Sequence, residues 1–427
     1  MILIKNGYLI DPKSKTEATL DILIDKKKII KIGKNLLETL KQRPDHIIHA
    51  DGLVVAPGLV DIHVHFRDPG FTYKEDIESG ARAAARGGFT SVVLMANTNP
   101  VVDNEETLSY VLHKGKKTGI HVYSCATITK GLKGHELSDM QKLSQIGAVG
   151  FTDDGVPILE ESLVISAMQE AARLNVPLSF HEEDPKFITN NGVNAGVASA
   201  HFQIAGSQRE AEIDMVRRDL LLAKETGAQI NIQHISSKEA VELVRVAKKH
   251  SDHIHAEATP HHFTLTEEAV IQYGTLAKMN PPLRTEEDRM AIIEGLQDGT
   301  IDLIATDHAP HSREEKQRTF TKAPSGIIGL ETSLALGITN LVHQGKLTMS
   351  QLLEKMTYNP AKLYHLEGGS IEVGGPADLT IFAEHETQMI EKFVSKSSNS
   401  PFAGKKLQGV IIYTICNGEI VYDNRRR

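Results

Sequence analysis

Through the middle of the chain a short apolar run, a polar loop and a helix-like stretch recur eight times, and this repeat restricts the fold more than any other feature. The runs are GLVDIHVH (58–65), TSVVLMAN (90–97), GIHVYSCAT (119–127), GAVGFTDD (147–154), VPLSFHEE (176–183), AQINIQHIS (228–236), DHIHAEAT (252–259) and IDLIATDHA (301–309). Apolar runs this short read as buried strands, and strands alternating with helices read as parallel βα units. Eight units over roughly 300 residues predict an α/β fold, a (β/α)8 TIM-type barrel, which takes about 250 residues or more with insertions. One helix is expected to open at Thr72 with Glu75 as its capping partner, to turn Ile77, Ala81, Ala84 and Ala85 inward, and to stop at Gly87-Gly88.

The two ends of the chain read differently. Residues 1–56 break into short alternating strands, as do residues 367–427, where Asn417-Gly418 between two apolar runs is a strong hairpin signal. Neither end holds enough strand to bury a core alone. They are therefore expected to pair into one small β-sandwich domain flanking a barrel of residues 57–366.

A barrel of this kind gathers its functional groups at the C-terminal ends of its strands. Those ends carry His63 and His65, Asn97, Cys125, Asp154, His181, His234, the 253–262 stretch and Asp307. His63 and His65 alternate along one strand, so both rings face one side and can share a metal ion. Such a pair alone is more often two core or surface histidines than a metal pair; its company at the other strand ends decides for a metal. Six nitrogen and oxygen ligands exceed what one four-coordinate ion needs, so two ions sharing a carboxylate fit better. His63, His65 and Asp307 are assigned to one ion, His181 and His234 to the other, and Asp154 to the bridge. Asp153 competes for that bridge, because a one-residue slip reverses a strand side chain. The chemistry expected is metal-assisted hydrolysis, with Asp307 moving the proton.

Arg67 and Asn97 offer a planar fork and an amide to a carboxylate or ureide, and His311 and Asn280 are further polar candidates. His261, His262 and His308 are read as structural or as partners of ligands. Two long loops, 184–208 and 312–325, are placed either to cover the mouth or to lie as solvated surface.

Composition excludes several classes of function. With 47 basic against 55 acidic residues the net charge is −8, so no overall positive field attracts nucleic acid or an anionic membrane. The two cysteines, Cys125 and Cys416, are too far apart in sequence to suggest a disulfide framework. The N-terminus lacks a signal-peptide layout and no apolar run spans a bilayer, so a cytoplasmic location is expected.

The motifs DIHVHFRDPG, MANTNP, GFTDDG, MNPPLR, ATDHAPH and GLET, with the His181 and His234 strand ends, occur in an order and spacing that resemble the bacterial dihydroorotases of the hydantoinase-like class in the amidohydrolase superfamily. The resemblance covers essentially the whole chain. It implies reversible cyclisation of N-carbamoyl-L-aspartate to L-dihydroorotate, a step of pyrimidine synthesis, at a centre of one or two Zn2+ ions, the binuclear form being favoured. By the same resemblance His63, His65, Asp154, His181, His234 and Asp307 are metal ligands, with Asp307 the proton carrier. Substrate contacts fall to His65, Phe66, Arg67, Asn97, Asn280 and His311, and to the turn at Ser325 and Gly326. Ser325 departs from the bulky apolar residue usual in the family, which bears on ring packing.

The expected partners are the small-molecule substrate and a second copy in a homodimer, with association with aspartate transcarbamoylase as a further expectation. The nearest alternatives are a hydantoinase, dihydropyrimidinase or allantoinase, many of which bridge their metals with a carboxylated lysine. No lysine lies between Gln145 and Pro157 to serve in that way. A non-catalytic structural paralogue is the alternative from another class, and it should have lost ligands.

Overall fold

All eight apolar runs form parallel strands in the computed structural model, which describes residues 1–426. The strands are Leu59–Val64, Phe89–Leu94, His121–Ser124, Phe151–Thr152, Leu178–Phe180, Ile230–Ile232, Ile254–Ala258 and Leu303–Ile304. Continuous ladders join the first three and, separately, the last five. Single parallel bridges, Ala126 to Phe151 and Val64 to His308, close the ring. Ladders end early where the backbone turns toward the mouth: His234 and Asp307 hold positive φ values of 31° and 47°.

The first strand shows how the sequence sets side-chain direction. Val60 and Ile62 share an apolar cluster with Met95, Ala305 and Tyr364, whereas Val64 and Phe66 belong to the large core under the helices. A register slip between Asp61 and Val64 separates the two stretches. Beyond it, strand alternation turns His63 and His65 away from that core.

The helix after this strand runs Ile77–Arg86 and buries Ile77, Ala81, Ala84 and Ala85, with Gly87 as its C-cap. Its N-terminus corrects the Thr72/Glu75 expectation. Asp76 is the cap and Ser79 its reciprocal partner. Glu75 is drawn inside instead, where it meets His308 Nε2 at 3.4 Å and the hydroxyls of Ser79 and Ser395. Burial would raise its pKa, but His308 and the two hydroxyls hold it below the ordinary carboxylate value.

The two chain ends meet in one eight-stranded sheet. Its spine runs from Glu419–Asp423 through Lys406–Cys416, Leu379–Met389, Val54–Pro57 and Ile2–Asp11 to Thr16–Asp25 and Lys28–Gly33, with His46–His49 beside Ile2–Asp11. Hydrogen bonding is continuous through all eight, and the sheet holds its own core, including Ile4, Leu9, Ile22, Leu379 and Ile415. The closing hairpin turns at Asn417 and Gly418, both at positive φ (52° and 74°); a Cβ on Gly418 would lie 1.7 Å from the Lys26 carbonyl oxygen. This is the geometry an Asn-Gly turn supplies.

The later part of the chain also serves the barrel. Residues 390–405 return to its mouth, where the Asn399 amide donates to the Ala309 and Gly326 carbonyls, each at 3.0 Å, and accepts from His311 N at 3.1 Å. The two long loops are docked on each other: Phe202 and Phe320 stack with centroids 4.6 Å apart. Buried Lys278 and Lys316 fasten the second loop through the carbonyls of Phe320, Ala323, Pro324 and Gly326 at 2.7–3.1 Å.

Candidate functional site

The barrel topology brings His63, His65, Asp154, His181, His234 and Asp307, from five strand ends, into one buried cluster. His65 Nε2 lies 3.1 Å from Asp307 Oδ1 and 3.5 Å from Asp154 Oδ2. His63 Nε2 lies 3.3 Å from Asp154 Oδ1 and 3.6 Å from Asp307 Oδ1. On the other side of Asp154, His181 Nδ1 and His234 Nε2 lie 3.8 and 3.9 Å from Oδ1 and 3.0 Å from each other. Asp153 points elsewhere, accepting from the Ile128 and Thr129 amides at 2.8 and 3.0 Å and from the Thr129 hydroxyl.

Hydrogen bonding on the far side of each ring decides what the near side offers. His63 Nδ1 meets Glu257 Oε1 at 2.5 Å, and His65 Nδ1 meets Asn97 Oδ1 at 2.9 Å. Both partners are acceptors, so the protons sit on Nδ1 and the Nε2 lone pairs face the Asp154 and Asp307 carboxylates. His63 Nε2 has no hydrogen-bond partner among the described residues although it is buried. His181 is turned the other way round: Nε2 meets Glu183 Oε2 at 3.0 Å, leaving Nδ1 for the cluster. Acceptors facing acceptors in a buried site call for positive charge between them, a proton or a metal ion. The donors form two sets that share Asp154: His63 and His65 on one side, His181 and His234 on the other, with ligand atoms within 4.8 Å in each set. Imidazoles held from behind by acceptors, and a carboxylate held by the Asn97 amide, form a donor set suited to a divalent metal ion.

The electrostatics show where the cluster draws positive charge and where it repels it. Burial would depress His63, but Glu257 and Asp154 outweigh it and lift its pKa well above the imidazole range. Burial, His181 and His63 together push His234 well below that range. Asp154, which burial would raise, is held well below the ordinary carboxylate value by His63, His65 and His181.

Around the cluster stand the polar candidates. Arg67, itself at φ 59°, donates from Nε to Pro310 O at 3.2 Å and approaches His311 Nε2 at 3.4 Å. Among the described residues no carboxylate pairs with its guanidinium. His311 is kept neutral, its pKa driven down by burial, Arg67 and Lys74. Asn97 is engaged by the cluster, for besides His65 it donates to Asp154 Oδ2 at 3.0 Å. Asn280 and Ser325 each keep a buried side-chain oxygen without a partner among the described residues, and Gly326 N donates to Lys278 O at 2.8 Å, tying their segments together.

Phe66, expected among the substrate contacts, turns its side chain away from the cluster. Its ring lies in the core against Gly80, where a Cβ would approach to 2.4 Å, and edge-on to His308 at 6.2 Å. Strand alternation places it opposite His65 and leaves only its backbone toward the mouth. His308 and His262 are bonded to structural partners, the Gly329 amide and the Pro281 carbonyl, each at 3.1 Å.

Two acids escaped the sequence reading. Glu257 lies inside DHIHAEAT, where the histidines drew attention, and it binds His63, the His234 amide (3.2 Å) and Asn231 (2.9 Å) at once. Glu183 sits two residues beyond His181. Each acid stands two residues after a histidine, His181 and His255, at the end of an apolar run, and that was the available signal.

Residues 54–421 match the Amidohydrolase family. The chain is 60% identical over 423 residues to a dihydroorotase of Clostridioides difficile, covering 99% of this chain and 100% of the relative. It is 52% identical to a dihydroorotase of Clostridium acetobutylicum over the full length of both. Among solved structures, the L-hydantoinase (dihydropyrimidinase) of Arthrobacter aurescens superposes with a TM-score of 0.87 at 27% identity, over 99% of this chain and 96% of that one. With a closed barrel, a sheet built from both chain ends and a metal-type cluster at the strand ends, the chain belongs to the amidohydrolase family, whose members here include the dihydroorotases it resembles along its whole length.

Proposed function

We propose that the chain is a dihydroorotase, interconverting N-carbamoyl-L-aspartate and L-dihydroorotate, and that His63, His65, Asp154, His181, His234 and Asp307 would hold two zinc ions, Asp154 being common to both ligand sets. The full-length likeness to dihydroorotases gives the reaction. The observation in the molecule that carries the reading is the pairing of a lone-pair cluster with a guanidinium, Arg67, that has no carboxylate partner among the described residues. Dihydroorotate brings a carboxylate; hydantoin and dihydrouracil do not.

Zinc held there would supply a water ionised near neutral pH and a Lewis acid for the ring carbonyl. Arg67 is read as gripping the substrate carboxylate in a charge-assisted bond, with neutral His311 beside it as a hydrogen-bonding partner. Asp307 stands against both His63 and His65 and is read as the proton carrier. It takes the proton of the attacking water and returns it to the departing ring nitrogen. Ring opening turns one carboxylate into two and releases a proton, so rising pH favours hydrolysis and falling pH favours cyclisation. Asn97, bonded to both His65 and Asp154, holds those side chains in register. Asn280, Ser325 and Gly326 are read as lining the ring.

A homodimer, a cytoplasmic location and an association with aspartate transcarbamoylase belong to the same proposal. No helix among the described residues is long and apolar enough to cross a membrane. The test is a panel of rings. L-dihydroorotate should be opened at a kcat/KM at least a hundredfold above dihydrouracil and hydantoin; equal rates on all three would overturn the assignment.

A further inference from the structure

A second set of ligand-type side chains lies outside the barrel mouth, where the segment after helix Ser333–Gly337 packs on the end sheet. His343 follows the single turn Ile338–Val342, and Glu384 and His385 lie in strand Leu379–Met389. That strand slips register with Lys406–Cys416 between Ala383 and Thr387. A slip of this kind redirects side chains, and here two consecutive residues reach toward His343.

The tautomer argument used in the barrel applies again. His343 Nδ1 lies 2.6 Å from Gln408 Oε1, and the Gln408 backbone is fixed by a 2.9 Å bond to the Thr339 hydroxyl. The amide oxygen accepts, so the His343 proton is on Nδ1 and Nε2 presents a lone pair. Nε2 is a buried atom with no hydrogen-bond partner among the described residues, and it faces Glu384 Oε1 at 3.5 Å. The His385 ring stacks beside it, centroids 5.5 Å apart. One ligand atom from each of the three residues falls within 4.8 Å of the others. Two acceptors face one another beside a third, with an amide fixing the ring from behind; ligating histidines in metal sites are held in this way.

We propose that His343, Glu384 and His385 bind a zinc-type divalent ion on the outside of the molecule. Two imidazoles and one carboxylate, with water completing the shell, suit Zn2+, Ni2+ or Co2+; there are too few oxygens for Ca2+ or Mg2+ and no thiolate for softer ions. The His343 and Glu384 side chains retain 18% and 25% of their exposure, so an ion can enter without unfolding. Zinc analysis of the purified protein then reads one ion more than the barrel holds.

The test compares the whole protein with His343→Gln and His385→Ala, each equilibrated at one buffered free Zn2+ concentration and then analysed for zinc per chain. The parent should hold one more zinc than either variant, and Zn2+ titration of the variants should show that extra site lost or weakened by at least about tenfold. Ring opening should stay within twofold of the parent in both, which separates this site from the barrel and shows that the variants are folded. Equal zinc content in all three proteins would overturn the proposal, and would mean that a proton alone joins His343 to Glu384.

Discussion

Glu257→Gln tests the part of the metal centre that the sequence did not disclose. The carboxylate is buried and spends its oxygens on His63 Nδ1 (2.5 Å), the His234 amide (3.2 Å) and Asn231 (2.9 Å). Glutamine keeps the volume and one acceptor oxygen but removes the charge that makes His63 a stronger donor to a metal. Its amide also puts N–H donors where Asn231 now donates. Losing an outer partner of a ligating histidine weakens metal binding by about 10–100-fold, or roughly 1.4–2.8 kcal/mol. The assay is zinc affinity by chelator competition, followed by ring opening at saturating zinc. Affinity should fall by that factor while most of the turnover returns once the site is filled. Unchanged affinity would refute the claim that Glu257 sets the donor strength of His63.

Asp307→Asn should fold normally and lose ring-opening turnover by about 10²–10⁴-fold, the range for a positioned acid–base group; a loss below tenfold would remove Asp307 from the role of proton carrier. Arg67→Gln should raise KM for L-dihydroorotate by about 10–100-fold with a smaller change in kcat, the scale of one charge-assisted hydrogen bond, as read by steady-state kinetics. Lys316, whose pKa burial lowers from 10.5 to about 7, gives a signed pH dependence. Below pH 7 it is charged in both the folded and unfolded chains, and its buried charge is a constant cost. Between pH 7 and 10.5 the unfolded chain holds the extra proton, so stability should rise with pH by at most about 1.4 kcal/mol per unit. Urea unfolding at pH 6, 8 and 9.5 should show that slope in the parent and its loss in Lys316→Met; parallel profiles would contradict it.

What the sequence disclosed follows from how local each signal is. The eight strands are apolar runs bounded by polar residues, and the Asn417-Gly418 hairpin needs only two residues, so both read directly. His63 and His65 are related by strand alternation alone, and their companions by the rule that barrel strands converge at one end. Direction past a register slip is harder to read, and Phe66 turns into the core because the chain has already switched faces between Asp61 and Val64. Competition for a carboxylate is harder still. Glu75 looks like a cap partner for Thr72 until the fold brings Ser395 and His308 beside it from more than 200 residues away. Glu257 meets His63 across 194 residues of chain, and Asn399 orders His311 from a polar segment without strand or helix pattern. Contacts of this kind exist only once the barrel has closed.

The most direct test of the account is to strip the protein with a chelator and add zinc back while following ring opening of L-dihydroorotate, with the His385→Ala variant run in parallel. The account predicts silence in the stripped protein and full recovery with zinc in both forms, while dihydrouracil stays essentially untouched. Undiminished ring opening by the fully stripped protein would contradict it.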